Sequence, residues 1–168
     1  DMKLMDWLEN KIWPIEAKMK KEDIYWGAML GIAEMIKSGT TTFADMYGDM
    51  DQVAQACIDT DIRAVLSRGI IGVAPNGNQA LEENKILFRD FNNANDGKIT
   101  VMFGPHAPYT CPPDFLQKVV KVSEKYNGEI HIHLAETKGE VENCLKEYGK
   151  TPIALMEKVG ILDRGVLA

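Results

Sequence analysis

Cysteine and histidine are scarce in this sequence, at three of each in 168 residues. Cys57, Cys111 and Cys144 lie far apart, which excludes a disulfide framework and a Cys-x-x-Cys zinc motif and points to a reducing cytoplasm. No cluster of basic residues exists: 19 Lys and Arg stand against 25 Asp and Glu, for a net charge of −6. That excludes the electrostatic footprint of a nucleic-acid binder. No apolar run approaches the roughly 18 residues that suggest a membrane span. The opening Asp1-Met2-Lys3-Leu4-Met5-Asp6-Trp7 is not a signal peptide. It begins without methionine, so the expectation is a segment of a longer chain or a processed one. Internal repeats and low-complexity tracts are absent too. What is present, 45% hydrophobic and 26% charged residues, fits one globular domain over residues 1–168 with a core of its own.

Hydrophobic spacing predicts helices alternating with strands. Met2 to Trp13 carries Leu4, Trp7, Leu8 and Ile12 at helical spacing until Pro14 interrupts it. Trp7 and Trp13 read as core packing. A second helix starts near Lys21, where Glu22 and Asp23 favour its positive end; Ser38-Gly39 stops it, glycine suiting a left-handed cap. Strands follow at Thr40–Met46, Arg63–Arg68, Ile99–Phe103 and Ile130–Leu134, with a last one opening at Gly165. Helices fall between them at Asp51–Asp59, Ala80–Phe91, Pro112–Tyr126, Glu140–Glu147 and Pro152–Lys158. Strands separated by single helices read as β/α units of a parallel sheet. Either a doubly wound open sheet or part of a (β/α)8 barrel accommodates them; a full barrel needs about 250 residues.

All three histidines fall at the C-terminal ends of two successive predicted strands, where parallel α/β folds place ligands. His131 and His133 share one strand face, and Ile130, Ile132 and Leu134 the other. His133 is nearer the strand end and is the better metal candidate. Glu136 follows three residues later, within reach of a metal-bound water. A strand histidine is more often a hydrogen-bonded core residue than a ligand, and His131 fits that description.

At these residues the chain resembles a known family. Phe103-Gly104-Pro105-His106-Ala107-Pro108-Tyr109-Thr110-Cys111, followed by Ile132-His133-Leu134-Ala135-Glu136-Thr137, is similar to the amidohydrolase superfamily. Within it, the similarity is greatest to methylthioadenosine/S-adenosylhomocysteine deaminases and their chlorohydrolase-like relatives. Trp7-Leu8, Ile12-Trp13-Pro14-Ile15-Glu16, Gly39 to Met46, Arg63 to Gly69 and Leu81-Glu82-Glu83-Asn84 match as well. The resemblance implies a partial metal-dependent hydrolase barrel in which His133 binds a divalent metal, zinc or alternatively iron. Glu136 would then shuttle a proton to the purine ring and His106 hydrogen-bond the base. Glu16 would hold the ribose hydroxyls, and Arg68 would lie near the sulfur-bearing tail.

Three departures bear on this. The family's first-strand His-x-His pair would precede Asp1, and its sixth-strand histidine and eighth-strand Asp would follow Ala168. The metal site is thus expected to be incomplete in these residues. An Arg expected just before Leu81 is replaced by Ala80, beside Gln79, which weakens recognition of an amino-acid carboxylate. The implied protein is a cytoplasmic homo-oligomer that takes a small nucleoside and no nucleic acid or membrane. Rival readings are a hydrolase of a guanine- or triazine-type ring, and an inert segment with an assembly role. Without the family, Glu16 reads as a solvated helix-start carboxylate and Arg68 as a surface ion-pair partner.

Overall fold

In the computed structural model, which describes residues 2–168, helices and strands alternate from end to end. The helical opening consists of α1 (Leu4–Trp7), a π turn (Leu8–Ile12) and α2 (Trp13–Glu16). Contrary to the sequence reading, Pro14 does not end the helix. A proline ring clashes with the carbonyl four residues back and offers no N–H; the wider π turn in front of it relieves both constraints. Leu4, Leu8, Ile12 and Glu16 are the partly buried positions. Four-residue steps drift by about 40° each on a regular helix, so the π turn helps to keep Glu16 on this stripe. Trp7 and Trp13 fall off it and are exposed, contrary to the core role expected of them.

Helix α3 (Lys21–Lys37) is capped as its sequence predicts: the Asp23 carboxylate accepts the Lys20 N–H at 2.7 Å, and Gly39 beyond its end has φ +89°. The strands are β1 (Thr42–Tyr47), β2 (Arg63–Ile70), β3 (Ile99–Val101), β4 (Gly104–Pro105), β5 (Ile130–His131) and β6 (Val166–Leu167). Between them lie α4 (Met50–Thr60), α5 (Gly77–Phe91), the short α6 turn (Ala94–Gly97), α7 (Pro113–Tyr126), α8 (Lys138–Tyr148) and α9 (Pro152–Val159).

Every strand pair is parallel: β2 pairs with β1, β3 and β4, and β5 with β6. The segment β3–β4 is one strand broken near Met102. It joins β5 through a Phe103–Ile130 bridge and the His131 N–H donating to the Phe103 carbonyl at 2.9 Å. Spatial order is thus chain order. A doubly wound sheet reverses its order at a switch point, and no such reversal occurs among the described strands.

Three apolar clusters fix the helices on the sheet. Ile32, Val53, Ala54 and Cys57 pack α3 and α4 against Ala64 and Leu66. Ile70, Leu81, Phe103 and Val119 hold α5 and α7, with Phe88 stacked on Phe103 at 5.5 Å. Ile130 and Ile132 are fully buried among Leu116, Leu155, Met156 and Ile161. Burying one side of β5 in this way leaves His131 and His133 on the other, as strand alternation predicted.

Candidate active site

The backbone ladder brings the histidines together. The His106 N–H donates to the Ile70 carbonyl and the His133 N–H to the His106 carbonyl, both at 2.9 Å. The ends of β2, β4 and β5 are therefore laced side by side. Gly104 permits the approach: a Cβ there would stand 2.7 Å from the Arg68 carbonyl oxygen. The His106 and His133 rings consequently lie 5.2 Å apart, nearly perpendicular, and the His131 ring is 6.2 Å from that of His133.

Their surroundings differ. His133 is exposed, whereas His106 is partly buried with Nδ1 3.0 Å from Thr110 Oγ1 and its ring edge-on to Tyr109. Burial, reinforced by His133, lowers the His106 pKa, while Glu140 opposes this. The imidazole is thus held neutral near pH 7, in the state that offers one donor and one acceptor. His131 Nδ1 is 2.8 Å from Ser67 Oγ, a hydroxyl on fully buried Ser67 of β2 that also lies 3.3 Å from the Asp45 carbonyl. His131 is accordingly the hydrogen-bonded interior histidine that the sequence suggested. Burial, then the nearby His133, lowers its pKa as well.

The β5 ladder ends before the expected Leu134, although the Ile132 N–H still reaches the Leu167 carbonyl at 3.0 Å. Ala135 then takes a left-handed conformation, φ +54°, which turns the chain toward exposed Glu136. Burial, then the charges of Glu136 and Glu140, raises the Tyr109 pKa. His106 and His133 thus form one neighbourhood, with Glu136 on the turn that follows β5. None of the three lines either of two cavities, of about 570 and 620 Å³.

Glu16 and Arg68 each have a partner of their own. Glu16 Oε1 accepts the Tyr47 hydroxyl at 2.5 Å, which, after burial, raises the Tyr47 pKa. Arg68 alternates with Ser67 along β2, so it points to the helix side of the sheet. There Nε donates to Glu83 of α5 at 2.8 Å. With Lys21, Asp49, Gln79 and Glu83, Arg68 lines the 570 Å³ cavity. The surface ion-pair reading of Arg68 matches this geometry; the structure does not bring it to the histidines.

Sequence reasoning missed two residues. Ser67 carries no local signal, because its partner lies 64 positions away. Glu140, nearly fully buried, accepts the Ala135 and Glu136 N–H groups at 3.0 and 2.9 Å. Its signal was legible: Thr137-Lys138-Gly139-Glu140 has the spacing of a capping box, and Thr137 Oγ1 caps the Glu140 N–H at 3.1 Å.

Among the described residues, no three His, Cys, Asp or Glu side chains are placed to hold a metal ion. A catalytic zinc site takes about three protein ligands plus water, so these residues do not fit a complete site. His133, exposed at its strand end, is the side chain best placed to contribute one ligand.

Comparison with known proteins places this geometry. The chain is 54% identical over 169 residues to a 5-methylthioadenosine/S-adenosylhomocysteine deaminase of Syntrophomonas wolfei, covering 100% of this chain and 39% of that protein. A protein of the same name from Dictyoglomus turgidum is 51% identical, with the same coverage. The chain therefore spans about two fifths of the length of these curated relatives. Among solved structures, a Xanthomonas campestris adenosine deaminase with bound zinc superposes with TM-score 0.89 at 30% identity, over 99% of this chain and 38% of that one. A zinc-bound atrazine chlorohydrolase from Arthrobacter aurescens gives 0.83 at 20% identity over 98% of this chain and 42% of the other, a likeness of fold alone. The model of the amidohydrolase family matches residues 1–168, and the chain belongs to that family.

Proposed function

We propose that this chain is the middle of a (β/α)8 catalytic barrel in a metal-dependent deaminase of adenosine-type nucleosides, 5′-methylthioadenosine or S-adenosylhomocysteine. The observation that carries this is the 54% identity, along the whole chain, to a deaminase named for those substrates. The one-way strand order supports a barrel arc. The guanine- and triazine-type rivals share only the fold, at 19–20% identity.

Deamination adds water at the ring carbon that bears the amino group and expels ammonia. The ring nitrogen and then the amino group must each gain a proton. Glu136, exposed on the turn after β5, delivers these protons as a general acid–base. His106, held neutral, orients the base through its free ring nitrogen. Glu16, already fixed by Tyr47, receives the ribose hydroxyls. Arg68 reaches the substrate's tail only by sharing or leaving Glu83. A divalent ion, zinc in solved relatives, supplies an acidic water when bound. Of its ligands this chain offers His133.

The test is Glu136→Gln in the metal-loaded enzyme at the relatives' full length, assayed by ammonia release from both nucleosides. Turnover should fall about 10²–10⁴-fold, the usual worth of one acid–base group, with metal content and substrate binding retained. Near-normal turnover removes Glu136 from the reaction.

A further inference from the structure

Ala135 is a non-glycine residue at φ +54°, between candidate metal ligand His133 and candidate proton carrier Glu136. Such a conformation is uncommon outside glycine, asparagine and aspartate, and persists where the surroundings impose it. What imposes it is visible. Glu140 Oε1 takes the Ala135 N–H at 3.0 Å and Oε2 the Glu136 N–H at 2.9 Å. Glu140 is only 5% exposed, and it is anchored from below because its N–H is bonded to Thr137 Oγ1. In an ordinary capping box the glutamate returns to the N-cap residue's own N–H. Here it reaches one and two residues further back, onto the bend that presents Glu136.

The geometry points to Glu140 as a positioning residue: by gripping two successive N–H groups, its carboxylate locks the left-handed bend at Ala135 and so sets where the Glu136 carboxyl stands relative to His133. Its charge matters, because hydrogen bonds from N–H to an ionised carboxylate are roughly twice as strong as neutral ones. A glutamine would present one amide oxygen and set its NH₂ against the second donor. The inference rests on the role given to Glu136 above, and predicts that turnover depends on a residue that never touches substrate.

Glu140→Gln and Glu140→Ala, in the metal-loaded full-length enzyme, test this beside Glu136→Gln as control. The kcat per bound metal should fall about 10–100-fold, the scale of a misplaced catalytic group. KM for methylthioadenosine should stay within about twofold, as for an interaction felt only in the transition state. Hydrogen exchange at the Ala135 and Glu136 amides should quicken. Adding Ala135→Gly to Glu140→Ala should recover part of kcat, because glycine enters the left-handed region without steric cost. Wild-type kcat per bound metal in Glu140→Ala overturns the proposal, as does a loss that Ala135→Gly leaves untouched. A loss that disappears once activity is normalised to folded, metal-bound protein also overturns it. Full turnover in Glu136→Gln sinks the role of Glu136 instead; unchanged amide exchange in the Glu140 variants sinks the grip itself.

Discussion

Asp45 shows how a single side chain links strand, stability and pH. It sits on β1, on the side facing α4, where its charge helps to raise the pKa of Cys57 behind the larger effect of burial. Burial raises the Asp45 pKa above its ordinary value, more than the Met46 N–H lowers it. A carboxyl whose folded pKa is raised binds more protons folded than unfolded. Its contribution is therefore full below the unfolded value of 3.8 and is lost as pH rises through the folded one. At neutral pH the ionised group works against the fold. Asp45→Asn should raise the melting temperature at pH 7 by about 2–4 °C, and the gain should vanish near pH 3, where wild-type Asp45 is protonated. A thermal melt series across pH checks this; a gain independent of pH would mean that ionisation is not the cause. From sequence, Asp45 reads only as one position of the strand Thr40–Met46, because burial by a helix that follows in the chain is a tertiary fact. Ser67 was invisible for the same reason. Glu140, by contrast, stood in a readable Thr-x-x-Glu spacing whose helix was expected to begin at Glu140 and begins at Lys138.

At the scale of elements, the break in the strand between β3 and β4 governs where His106 lies. Ile99–Phe103 read as a continuous strand, since period-two alternation gives no warning of an interruption. The break is sealed by Asn84, whose side chain is fully buried on α5. Its Nδ2 donates to the Met102 carbonyl and its Oδ1 accepts the Gly104 N–H, each at 3.0 Å. One amide thereby satisfies both backbone groups that the broken ladder would leave unpaired. Leaving a buried donor or acceptor unsatisfied costs about 1–3 kcal/mol each, so Asn84→Leu should destabilise by about 2–4 kcal/mol by urea unfolding. Asn84→Asp, which keeps the acceptor and loses the donor, should fall between. If leucine proves neutral, Asn84 does not hold the strand break. The elements with strong local signals were legible close to their true ends: α3 from its acidic first turn and Gly39, α7 from Pro113, and α9 from Pro152. The π turn before Pro14 was not, because proline reads as a stop unless the preceding turn is known to widen.

For the molecule as a whole, the question is what these 168 residues do alone. The ligand count argues that they bind no catalytic metal tightly. His133 supplies one imidazole. His131 lies two positions back along the strand, about 6–7 Å deeper, and its Nδ1 is already engaged with Ser67. His106 sits beside His133 but shares Nδ1 with Thr110. Nor is the surface that of a self-contained barrel. Among the described residues β1 and β6 pair on one side only, and unpaired strand edges are templates for another chain. Trp26 and Leu30, four apart on α3, are 60% and 65% exposed and add apolar area to the surface. The purified 168-residue chain should therefore sediment as associated species at micromolar concentration, carry well under one zinc or iron per chain, and release no ammonia from methylthioadenosine. Metal analysis after dialysis, sedimentation velocity and a coupled ammonia assay on one preparation decide this. Stoichiometric metal with measurable deamination would show that His131 or His106 serves as a ligand after all, and that the site is complete within these residues.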